Sequence, residues 1–100
     1  DLLAGPAGVD VYSKGTLYGL SMMYGSDLFD PITSVTSPPL YHNNKLYYGT
    51  SSEVLIRSAA RGGLEKVIVT GENTTARPVM LESGSLVVGT SDGKAIVINP

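Results

Sequence analysis

An internal repeat constrains this 100-residue chain more than any other feature: Leu46-Tyr-Tyr-Gly-Thr-Ser51 returns 40 residues later as Leu86-Val-Val-Gly-Thr-Ser91. Setting Gly49 on Gly89 puts Pro38 on Pro78, Leu46 on Leu86, Thr50 on Thr90, Ser51 on Ser91 and Ile56 on Ile96, without a gap. A weaker third copy arises if Leu2-Leu-Ala-Gly5 is placed on the same element, at an interval of 44 residues. A repeat of this length is the mark of architectures in which one supersecondary unit stacks on the next.

Each copy is built as apolar segment, turn, apolar run ending in Gly, turn, apolar run. In the last copy Pro78-Val-Met-Leu81 leads through Glu82-Ser-Gly-Ser85 to Leu86-Val-Val88, then through Ser91-Asp-Gly93 to Ala95-Ile-Val-Ile98. Asp-Gly tolerates the positive φ that a two-residue type I′ hairpin needs at both central positions, and Asn43-Asn44 is suited to the same task. The runs Val54-Leu-Ile56 and Ala95-Ile-Val-Ile98 are aliphatic, β-branched and too short for helices between such turns, so they read as strands. Leu64-Glu-Lys-Val-Ile-Val69 adds a fourth strand, and Leu17-Tyr-Gly-Leu-Ser-Met-Met-Tyr24 is the corresponding piece of the first interval. No segment keeps a helical period, and the twelve Gly and six Pro fall at or near the turns.

Four short strands per unit of about forty residues is the spacing of a β-propeller blade. The expected fold is all-β, with propeller-like blades of four-stranded antiparallel meanders in a single repeat domain over 1–100. The approximate units are 1–35 (partial), 36–75 and 76–100 (partial). One such meander cannot bury both of its faces, so neighbours must cover it. Two and a half blades do not close a ring; either the intact protein is longer or copies assemble.

Residues 37–100 resemble the repeat of the pyrroloquinoline-quinone-like, quinoprotein-type β-propellers, most clearly in Gly84-Ser-Leu-Val-Val-Gly-Thr-Ser-Asp-Gly-Lys-Ala-Ile-Val-Ile-Asn-Pro100. The matching positions are Pro78, Gly84, Gly89, Thr90, Asp92, Gly93 and Asn99. Family repeats often go on to a Thr-Gly turn and a Trp that docks blades together, yet this chain has no Trp, so Tyr, Leu and Val must dock the blades. Catalytic members of the family hold a cofactor with Ca²⁺ and acidic ligands, and no such acidic cluster is visible. What the resemblance implies is a fold; many propellers of this type serve assembly or adhesion.

Seven Lys and Arg against nine Asp and Glu, with no basic run, lack the footprint of a nucleic-acid binder. No cysteine and a single His leave no thiolate chemistry and no multi-histidine metal cluster. Neither a cofactor nor a metal nor a catalytic residue is expected, and no stretch has the apolar length of a membrane span. His42, beside Asn43-Asn44, is a candidate base or ligand without accompanying partners. Asp27 and Asp30 fit a capped turn before Pro31 better than a Ca²⁺ site, which takes about 6–8 oxygens. Met22-Met23 read as core residues that could alternatively form a contact surface.

Asn73-Thr-Thr75 fits the glycosylation acceptor rule, which bears only on a secreted or cell-surface protein. The six tyrosines, 12, 18, 24, 41, 47 and 48, divide between structural roles and a contact platform. Tyr24, Tyr41 and His42 are the candidate partner surface. The reading is a non-catalytic interaction or assembly module whose partner is a protein or a further copy of itself. The alternatives are a piece of a quinoprotein-type dehydrogenase outside its active site, and a stand-alone β-sandwich binding domain.

Overall fold

The computed structural model describes residues 2–4, 8–21 and 26–100. Among these residues eleven strands form three antiparallel sheets. The first sheet holds β1 (Leu2–Ala4), β2 (Gly8–Ser13), β3 (Thr16–Ser21) and β4 (Asp27–Ile32), in that order. The second holds β5 (Leu40–His42), β6 (Lys45–Gly49), β7 (Glu53–Ser58) and β8 (Leu64–Val69). The third holds β9 (Val79–Met80), β10 (Leu86–Gly89) and β11 (Ala95–Ile98). Each is a meander in chain order, as the repeat implied, and three layers set aside the two-layered sandwich.

Alternation within the strands places the cores. In the second sheet Leu40, Tyr47, Val54, Ile56 and Ile68 point one way and pack on Leu86, Val88, Ile98, Met80 and Ile96 of the third. From its other face Leu46, Tyr48, Tyr41 and Leu55 meet Leu17, Leu3, Tyr12, Phe29 and Ile32 of the first. Leu17, Leu46 and Leu86 are fully buried. The second sheet is thus the filling of a stack, and burying both of its faces supplies most of the driving force for folding.

The two Gly-Thr-Ser segments occupy like places. Gly49 closes β6 and Gly89 closes β10, each pairing with the third strand of its sheet. Thr36 N–H donates to the Gly49 carbonyl at 2.9 Å and Thr75 N–H to the Gly89 carbonyl at 3.1 Å, so each incoming connector is tied to its sheet in the same way. Both threonine hydroxyls accept at 3.1 Å from the backbone N–H that closes the following turn, that of Glu53 for Thr50 and of Lys94 for Thr90.

The gapless alignment, however, holds only along the second strand. Gly49 pairs with Val54 and Gly89 with Ala95, so the third strands are offset by 41 residues and Ile56 corresponds to Val97, not Ile96. Leu40 pairs with Tyr47 and Val79 with Val87, so the first strands are offset by 39 and Pro39 rather than Pro38 stands opposite Pro78. The cause is loop length. In the second sheet Asn43-Asn44 and Ser51-Ser52 are two-residue loops, whereas the third uses Glu82-Ser-Gly84 and Ser91-Asp-Gly93, each closed by one residue more. Among the latter residues only Gly84 and Gly93 take positive φ, so Asp92-Gly93 forms the three-residue loop ending in a left-handed Gly and not the expected two-residue turn. Asn43 and Asn44 do both have positive φ, and so do Lys14 and Gly15 between β2 and β3.

The first unit, expected over 1–35 as partial, carries four strands between Leu2 and Ile32. Leu2–Ala4 is the first strand of its sheet, not the second, which removes the third copy of the repeat. Leu17–Ser21 lies in the third strand, and the fourth is β4, where a turn was expected around Asp27 and Asp30. Pro31 concealed it; proline is tolerated there because β4 is an edge strand.

Candidate interaction surfaces

The most distinctive surface is a sheet face that no described residue covers. Val79, Val87 and Val97 form one cross-strand row on the third sheet, pointing away from the core. Their counterparts in the second sheet, Leu40, Tyr47 and Ile56, pack against the third. Ile56 is 4% exposed and Val97 is 64% exposed. At the other end of the stack Leu2, Val11 and Tyr18 form a comparable row on the first sheet, turned away from the second. Leu2 is 71% exposed there. A third apolar stripe follows the free edge strand β8 at Leu64, Val67 and Val69, interrupted by Glu65, whose carboxylate pairs with Lys45 at 3.1 Å.

An open groove of about 520 Å³ runs from β5 to β9, lined by Leu40 and His42 on one side and by Arg77–Glu82 on the other. It is continuous with the uncovered face through Val79. His42 is exposed at the end of β5, with its Nε2 3.3 Å from Asn43 Nδ2. Tyr41 is half-buried in the core between the first and second sheets and donates its hydroxyl to Asn44 Oδ1 at 2.8 Å. Tyr24 and the Met22-Met23 pair lie outside the described residues.

The other candidates are dispersed. Tyr47 and Tyr48 are buried, Tyr12 is half-buried with its hydroxyl on the Val35 carbonyl at 3.2 Å, and Tyr18 lies on the uncovered face of the first sheet. Asn73 is half-buried, its Oδ1 enclosed without a hydrogen-bond partner, and the neighbouring Thr74 hydroxyl is in the same condition. Asp27 and Asp30 are exposed on β4, and among the described residues no three His, Asp or Glu side chains gather as a metal site would need.

Three charged features shape the electrostatics. Asp10, 4% exposed, shares the buried face of the first sheet with Leu3, its cross-strand partner, and burial pushes its carboxyl up to about 6. Arg57 donates from Nε to the Tyr48 hydroxyl at 2.7 Å and from Nη1 to the Gly62 carbonyl at 2.8 Å, pinning β7 to its following loop. In the loop after β10 the Thr90 hydroxyl donates to Asp92, which with the nearby Lys94 ammonium holds that carboxyl below its usual range. Lys94 Nζ stands 3.3 Å from both Asp92 and Glu72, and these partners raise its own pKa.

What sequence reasoning missed was the orientation of the third sheet. The signal was the extra residue in Ser91-Asp-Gly93 relative to Ser51-Ser52, which turns Val97 rather than Ile96 outward.

No protein-family model and no curated protein matches this sequence. Solved structures do match it. The crystal structure of the computationally designed Ika4 protein superposes with a TM-score of 0.73 at 19% identity, over 96% of this chain and 62% of that one. BamB from Moraxella catarrhalis, a β-propeller, superposes with a TM-score of 0.75 at 16% identity, over 97% of this chain and 31% of its own. The chain therefore spans less than two thirds of either structure. The likeness defines the fold: all-β, in propeller-like blades of antiparallel meanders. Among the described residues no helix is long and apolar enough to cross a membrane.

Proposed function

We propose that this chain is a non-catalytic interaction module, a run of propeller blades of the quinoprotein-type repeat whose uncovered sheet faces receive a protein partner. The observation that carries this reading is the exposure of Val97 at 64% in the place where Ile56 is 4% exposed. A contiguous apolar row on a folded protein is a docking surface or a liability. The row is free of charge and framed by the polar loop residues Glu82, Ser83, Ser91 and Asp92, as in interfaces with an apolar centre and polar rim.

A photo-crosslinking side chain placed at Val97 tests it, with the same probe at the exposed loop residue Ser91 as control. In an extract of the source cells the probe at 97 should form polypeptide adducts that the probe at 91 does not. Equal labelling from the two positions would overturn the reading.

A further inference from the structure

We propose that strand β8 is a strand-addition site: its open edge takes an extended segment of a partner protein in which alternate apolar side chains are followed by an acid. This surface is separate from the uncovered faces and shares no residue with them. β8 belongs to the sheet that has another sheet on each side, so its exposure owes nothing to the ends of the stack.

The backbone shows which residues are open. Among the described residues β8 is the last strand of its sheet and pairs only with β7. Thr70 N–H donates to the Ser52 carbonyl at 2.9 Å, while the carbonyl of Glu53, opposite Val69, accepts from Thr50 N–H on the other side at 2.8 Å. Backbone groups alternate in direction along an antiparallel ladder. Ile68 and Lys66 therefore bond to β7, and the N–H and C=O groups of Val67 and Val69 point outward. Those same two residues expose their side chains, as does Leu64 at the start of the strand. Unpaired strand backbone and apolar surface coincide on the same residues, the combination that strand addition uses.

The equivalent edge in the first sheet is blunted. There β4 carries Asp27, Asp30 and Pro31 and pairs with β3 in an irregular register, all devices that discourage an added strand. β8 has the same six-residue length with neither proline nor glycine. Its one irregularity lies toward Leu64, clear of Val67 and Val69.

Charge names the occupant. Lys66 is exposed on the other face of β8 from Val67 and has no ion pair among the described residues, and its neighbour Glu65 is held by Lys45 at 3.1 Å. An antiparallel segment with apolar residues opposite Val69 and Val67 sets its next residue opposite Lys66, where an acid completes a cross-strand pair. Its pattern reads apolar, any, apolar, acidic. A second copy of β8 offers no such match: with Val67 opposite Val67 or Val69, Lys66 faces Ile68 or Thr70 and gains no counter-charge.

The test is residue-resolved hydrogen exchange on the whole chain with a capped peptide containing Val-Thr-Val-Glu. At millimolar peptide the amides of Val67 and Val69 should exchange about tenfold more slowly, while that of Ile68, already bonded to β7, should not change. The same peptide N-methylated at both valines has no donors for the edge and should protect neither amide. Lys66→Glu alters an exposed side chain outside both cores and should reverse the choice, binding Val-Thr-Val-Lys and rejecting Val-Thr-Val-Glu. The comparison of peptides needs no change to the protein.

No protection at millimolar peptide, equal protection by the N-methylated peptide, or a Lys66→Glu variant that still prefers the acidic peptide would each overturn the proposal. So would protection of Val67 and Val69 that grows with protein concentration in the absence of peptide, which would assign the edge to a second copy.

Discussion

Ile56 and Val97 hold the same position in consecutive sheets, yet one is sealed in a core and the other faces solvent. Their surroundings make the difference. Among the described residues the second sheet has a neighbour on each side and the third has one, so the same meander is a core element in one place and a surface in the next. A blade of this size is therefore stable through its neighbours, as expected where each repeat contacts only the adjacent ones.

Substitution at this matched pair tests the contrast most severely. Ile56→Ala should cost about 3 kcal/mol, since it opens a cavity between two packed sheets, while Val97→Ala should change stability by less than about 0.5 kcal/mol, as at other exposed sites. Urea unfolding in dilute solution measures both, and equal losses would mean that the stacking order is wrong.

The two internal interfaces also differ in polarity. The buried face of the first sheet carries Asp10, whereas the core between the second and third sheets gathers Tyr47 and aliphatic side chains. With its folded pKa raised from 3.8 to about 6, the ionisation of Asp10 has no effect on stability well below pH 3.8, where both states are protonated. Between pH 4 and 6 the unfolded chain releases the proton first, so stability falls as pH rises, and above 6 the full cost is present. Asp10→Asn should therefore leave stability unchanged near pH 3.5 and raise it by roughly 2–3 kcal/mol at pH 7, at about 1.4 kcal/mol per pKa unit. Parallel denaturant titrations at the two pH values give the comparison, and a gain that does not depend on pH would remove Asp10 from the account.

The glycines closing β6 and β10 sharpen it further. A Cβ on Gly49 would come within 2.6 Å of Thr74 Cγ2, but one on Gly89 would meet Ala76 Cβ at 3.2 Å. Gly49→Ala should cost about 2 kcal/mol through overpacking, and Gly89→Ala should cost under about 1 kcal/mol by the same mechanism. Thermal melts of the two variants should rank them in that order. Where the sheets agree, the effects should agree too: Thr50→Val and Thr90→Val each remove a hydroxyl that closes a turn, at about 1 kcal/mol apiece. In Thr90→Val the Asp92 carboxyl should move back up toward its ordinary range, which carbon-detected NMR titration would show.

The meanders were legible because Gly49-Thr50 and Gly89-Thr90 stand in the same strand position and because aliphatic runs between polar loops have few other conformations open to them. The first sheet was harder to read. Its β2 alternates a buried Asp10 with half-buried valines and its β4 contains Pro31, so the hydrophobic and turn signals both misdirect there. The open faces were not legible, since Val87 and Val97 look like any core strand residues; exposure depends on which sheet comes next, and local periodicity does not encode that. Nor did the residue types at Tyr41 and Asn73 reveal that one is half-buried in a core and the other has an enclosed, unpaired oxygen.

Methyl NMR with a soluble paramagnetic agent, recorded on the chain in dilute solution, addresses the stacking most directly. Strong relaxation of the Val79 and Val97 methyls beside protected Val54 and Ile56 methyls is the expected result. Equal protection of all four would contradict an open-ended stack of blades.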